Sequence, residues 1–174
     1  ETVLTMPAND VTITAIYRAL PAETFKLTVI GGEGSGDYAA GVSIPLSIPT
    51  VGEDQVFARW TGQVGTLEDP FADTTSLYMP PTEVTVVASF DQVYTVDAQI
   101  VGNLGGSVTP ATQDVVEGNE VSITITPAAG YEIASVTGCG DEGSLEGSVY
   151  TTQGIGADCT LQVTFQAVLV EVEI

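Results

Sequence analysis

Three groups of residues in this chain could do chemistry: a cysteine pair, a few large aromatic side chains, and an excess of carboxylates. Cys139 and Cys159 lie twenty positions apart, one just past the Val136–Gly138 run and the other opening the last alternating segment. Joined, they would close a loop whose cross-link contributes roughly 3 kcal/mol in the chain-entropy account. Two buried thiols or half of a metal site are the alternatives. With no histidine and no third cysteine, a zinc site would lack ligands. A small acidic module of secreted character favours the disulfide.

Trp60, with Tyr38 and Phe71, offers flat faces on which a sugar ring could stack. The competing reading makes Trp60 the plug of a core with few large side chains, and that reading is preferred. Glu68, Asp69 and Asp73, with Glu53-Asp54 and, further on, Asp141-Glu142 and Asp158, offer oxygens for calcium. Calcium takes about six to eight oxygens, and neither an EF-hand spacing nor a calcium-binding nonapeptide is present. These acids read as solvated loop residues, and no metal site is expected. Paired carboxylates are too abundant here to mark a glycosidase. A serine triad lacks its histidine, and no phosphate loop carries a lysine. The expectation is a protein without catalytic residues or cofactor.

Charge narrows the partners. The 23 acids face only Arg18, Lys26 and Arg59, for a net charge of −20. Such a field repels nucleic acids and anionic membrane surfaces. The acids are scattered and 44% of residues are hydrophobic, so the chain folds rather than forming an acidic tail. No segment is long and apolar enough for a membrane-spanning helix. Glu1 opens no signal peptide, so the N-terminus is expected to be processed or the chain to be an excerpt.

The elements that must hold these residues are strands. Phe25–Val29, Val121–Ile125 and Leu161–Phe165 alternate with period two, and Gly, Pro, Asn and Asp punctuate them. No sustained 3.6-residue stripe occurs, so the class is all-β. The glycine clusters at 31–36 and 105–106 fall between strands and open no helix, which makes them turns rather than phosphate cradles.

The pattern also repeats. Leu4, Met6-Pro7 and Val11–Tyr17 return as Leu77, Met79-Pro80 and Val84–Phe90 at an offset of 73 positions, and a weaker copy ends at Phe165. A fixed period implies tandem modules, like beads on a string. Four segments follow. Residues 1–19 read as the closing hairpin of an incomplete module and residues 23–91 as a full one. Residues 93–167 form a second, divergent module with the cysteine pair, and residues 168–174 an opening strand. Asp91-Gln92 reads as a very short linker. A lone hairpin and an unpaired apolar strand are both poor structures in water. Truncation or partial order is the plain account. The alternative is strand addition between copies, pairing Val168, Val170, Val172 and Ile174 with Val11 and Ile13.

Three blocks of the first module carry a resemblance. Phe25, Leu27, Val29, Gly31, Gly34-Ser35-Gly36, Tyr38 and Gly41 make the first. Phe57, Trp60 and Gly62 make the second, and Met79-Pro80, Val84, Val86, Ala88 and Phe90 the third. Residues 24–91 resemble the divergent internalin-type B repeat of bacterial surface and secreted proteins. The second module departs from it, with Val136 in place of Trp60 and Gly154–Asp158 in place of the Met-Pro turn. The resemblance implies a β-grasp-like stalk or adhesion module, extracellular and non-catalytic. Its expected partners are neighbouring repeats, other copies of the chain, a surface glycan or a host protein. The two other functions weighed are a filament subunit built by strand addition and a carbohydrate-binding appendage of a secreted hydrolase.

Overall fold

The computed structural model describes residues 5, 8–12, 14–18, 21–140 and 142–169. Among these the regular structure is thirteen β-strands and one short 3-10 turn, with no α-helix. The fold is all-β.

The first module supplies β1 (Thr24–Ile30), β2 (Gly36–Ala39), β3 (Ser43–Ser47), β4 (Gln55–Gly62) and β5 (Thr74–Tyr78). After them comes β6 (Val84–Ile100), seventeen residues long. The 3-10 turn Val101–Asn103 then leads to β7 (Gly106–Thr109), β8 (Thr112–Val116), β9 (Ser122–Pro127) and β10 (Tyr131–Gly138). The chain continues through β11 (Ser144–Glu146) and β12 (Val149–Thr151) to β13 (Cys159–Ala167).

Each half of β6 belongs to a different module. Its first half runs parallel to β1, Leu27 to Ile30 opposite Val84 to Val87, and antiparallel to β4, from Gly62 opposite Val86 to Gln55 opposite Gln92. Its second half runs antiparallel to β8 and parallel to β13, Val96 to Ile100 opposite Cys159 to Val163. The closing strand of one module therefore continues without a break as the opening strand of the next. Asp91-Gln92, expected as a linker, lies inside this strand. Further bonds cross the step: Val93 donates to the Asp54 carbonyl at 2.8 Å, and Glu117 donates to that of Gln92 at 2.8 Å.

Alternation places one face of each sheet inward. Leu27, Val29, Trp60, Val84, Val86 and Ala88 meet Ile44, Leu46 and Leu77 of the β3–β5 ribbon, and Met79 just past it, in one core. Val96, Ala98, Leu161 and Val163 meet Ile123, Ile125, Tyr150 and Ile155 in the other.

The head segment differs from expectation. Residues 8–12 and 14–18 lie in no strand, and Val11, Ile16 and Tyr17 are exposed. In the full module the closing strand is held between β1 and β4, and no described residue gives the head such neighbours. Ile13, Val170, Val172 and Ile174 of the expected strand-addition surface lie outside the described residues. Val168 is exposed, and its N–H donates to the Gly130 carbonyl at 2.8 Å.

Candidate functional site

The three groups of reactive residues are placed in different ways. Trp60 sits on β4 opposite Ala88 and is 1% exposed. It cannot stack on a ligand, because its ring fills the space above Gly32, where any Cβ would collide with it. Its backbone N–H donates to the Pro70 carbonyl at 2.7 Å, and its indole N–H to the Ala72 carbonyl at 3.0 Å. A buried indole needs such a partner, and here the partner is the irregular stretch between β4 and β5. Trp60 thus pins that stretch from below at two points.

Between those points stands Phe71, 68% exposed. Its own N–H donates to the Asp69 carboxylate at 2.8 Å. Tyr38 is turned away to other work: half-buried on β2, it packs on the first core and donates from its hydroxyl to the Gly34 carbonyl at 3.0 Å. The expected Trp60, Tyr38, Phe71 platform does not assemble as one face, since one ring is sealed inside and only Phe71 stands out.

Glu68 and Asp73 are exposed, and the Asp69 carboxylate accepts from Phe71. Among the described residues no three His, Cys, Asp or Glu side chains gather as a cation site.

Cys139 and Cys159 form a disulfide with their Cα atoms 5.2 Å apart. It joins the residue after β10 to the first residue of β13. Gly138 is paired with Leu161 in that ladder, so the bond closes the corner just beyond it. The same corner in the first module is closed by Gln63. Its N–H donates to the Thr85 carbonyl at 2.9 Å, and its side-chain oxygen accepts from the Thr85 N–H at 2.7 Å. The position is equivalent, for Gly62 is paired with Val86 as Gly138 is with Leu161.

Sequence reading missed two features here. One is the shared strand β6, hidden because Asp91-Gln92 looks like punctuation between two alternating runs. The other is the outward stance of Phe71 over a pinned loop. The signal for it was a lone aromatic within Glu68–Asp73, a segment otherwise of turn formers and acids.

A family model described as the divergent InlB B-repeat domain matches twice, at residues 26–94 and 96–168. Searches of curated proteins and of solved structures return no match.

Proposed function

Because the chain belongs to the divergent InlB B-repeat family, a family of repeat domains in bacterial surface proteins, we propose that its modules are non-catalytic, load-bearing spacers in a surface or secreted protein. One observation carries this reading: the first and last strands of each module are adjacent and parallel.

The consequence is mechanical. Tension entering at the start of β1 and leaving at the end of β13 pulls parallel neighbours in opposite directions. In the first module the loaded pair is β1 against β6, and in the second β6 against β13. Parallel ladder bonds are evenly spaced along the strands, so the tension shears several of them together rather than opening them one by one. Forced unfolding is governed by the barrier to unfolding, and simultaneous loading raises that barrier. Strand β6 passes the tension directly from module to module, without a flexible link to absorb it. The −20 charge keeps such modules soluble and apart.

The test is single-molecule stretching of the intact chain between its ends. The expected record holds two separate unfolding events of similar force, one for each module. Extension of both modules without a force peak would overturn the reading.

A further inference from the structure

Phe71 lines a shallow cleft together with the apolar Ile48, Val51, Val56 and Phe57 and the polar Gln55 and Asp73. Phe71 is largely open to solvent, and Val56 on β4 is exposed over about two-fifths of its surface. An exposed aromatic on a loop is ordinarily free to fold down onto nearby apolar surface. This one is held out by its backbone: the carbonyls on either side of it, of Pro70 and Ala72, accept from Trp60, and its own N–H is bonded to Asp69. The ordering cost that a binding loop would otherwise meet is therefore already met by the fold.

The fold does not need this arrangement. The second module builds the same strand arrangement around β6, with a second sheet of four strands where the first module has two, using Val136 in place of Trp60 and a disulfide where the loop begins. The Trp60 anchor, the loop and Phe71 are thus an addition to one module. Charge indicates what the cleft takes. Asp73 lines the cleft, the Asp69 carboxylate holds the N–H of Phe71, and Glu53-Asp54 immediately precede the lining residues Gln55 and Val56, against Arg59 alone among residues 48–73. An apolar floor with an acidic border complements an apolar side chain carried between cations.

We propose that the cleft beside Phe71 is a docking site for a basic polypeptide segment, one apolar side chain of which seats between Phe71 and Val56. The segment belongs to another protein, and this reading stands independently of the load-bearing role. Trp60, the chain's single tryptophan, lies directly behind the loop and serves as the reporter.

The experiment follows Trp60 fluorescence of the intact chain as four probes are added: a peptide alternating Lys and Leu, the same peptide with Glu for Lys, one with Gly for Leu, and a soluble chito-oligosaccharide. Only the Lys-Leu peptide is expected to bind well, more weakly as salt rises. Phe71→Ala should weaken it at least about tenfold. Val56→Lys, which places a cation in the cleft, must weaken it too and stands in if the first variant fails to fold. Failure of every peptide to bind would overturn the proposal, as would equal binding of the Glu-Leu peptide. So would undiminished binding by both variants, or oligosaccharide binding that depends on Phe71.

Discussion

The two modules solve the same packing problem with different side chains. Both pair a Gly-Gly turn with an aromatic, and both second glycines leave no room for a Cβ. At Gly32 the obstacle is Trp60, from the strand β4; at Gly106 it is Phe165, from the closing strand β13. Phe90 is the counterpart of Phe165 by position, and in the first module it lies instead against Gly31. When the tryptophan position holds Val136, the phenylalanine of the closing strand reaches over to fill the space. Volume over the glycine is what the fold requires, and either strand can provide it.

Backbone bonding is preserved more closely than side chains. Gly41 donates to the Met79 carbonyl at 2.7 Å, and Met79 to that of Val42 at 2.9 Å. In the second module Gly118 donates to the Ile155 carbonyl at 2.7 Å, and Ile155 to that of Asn119 at 2.9 Å. Met79 and Ile155 are both buried. A Met-Pro turn and a Gly-Ile-Gly turn share no sequence pattern, yet each drops one apolar side chain into the core and closes the same two bonds. The stretch between β4 and β5 in one module, and between β10 and β12 in the other, is where the two part company. One is tied down by an indole, the other by a disulfide.

The largest predicted effect strikes that contrast at Trp60. Trp60→Val copies the second module without supplying its phenylalanine in the reaching position. It empties space beside Gly32 and leaves the Ala72 carbonyl without its donor. The expected loss is about 3 kcal/mol or more. Hydrogen exchange resolved along the chain should show β1 to β5 losing protection while β8 to β13 keep theirs. Equal loss in both would mean that β6 makes the modules one cooperative unit, and the comparison of two independent solutions would fail.

Next in size is the disulfide. Replacing both cysteines by serine removes a cross-link over a separation of 20 residues, which is expected to cost about 3 kcal/mol, confined to the second module. Stretching offers a sharper measure. Freed residues extend by about 3.4 Å each, so reduction should lengthen one unfolding event by roughly 60 Å and leave the other unchanged. An unchanged length in both would mean that the two cysteines are not joined in the stretched protein.

How much of this was legible in sequence depended on whether a feature is local. Period-two alternation and turn residues marked β1, β3, β5, β9 and β13 closely, because each has one wet and one dry face. Strands β7, β8 and β11 gave no such signal. Their inward positions are few, as in Thr112–Val116, where Val115 alone is buried, and pairing of β7 with β9, β8 with β6 and β11 with β12 holds them instead. The continuity of β6 was obscured for a related reason. Asp91 and Gln92 are polar and interrupt the alternation, yet they sit where the strand passes from one core to the next and need no apolar face. The cysteine bond was legible from composition and spacing. The burial of Trp60 was expected from its size and the scarcity of large side chains, and it is 1% exposed; alternation alone did not give its face, since its neighbours Phe57 and Ala58 precede a shift of register between Phe57 and Arg59 that re-aims the strand. The same shift recurs between Ile133 and Ser135, so it is a property of the repeat.

The smallest effect tests whether the two corners are interchangeable. Val84 stands to Val86 as Cys159 stands to Leu161, and Gln63 follows Gly62 as Cys139 follows Gly138. Gln63→Cys with Val84→Cys therefore transplants the disulfide into the first module. A cross-link over a loop of this size adds about 3 kcal/mol. Against it stand the exposed bond from Thr85 to the Gln63 side chain, about 1 kcal/mol, and the smaller apolar burial once Val84 is shortened to a cysteine, about another 1. The net gain is about 1 kcal/mol, visible as a few degrees in melting temperature that vanish on reduction. Formation of the bond with that small gain would establish that the Gln63 bonds and the disulfide close one and the same corner. Failure of the two cysteines to join would show that the tryptophan-tied loop holds its corner in a geometry the second module does not share.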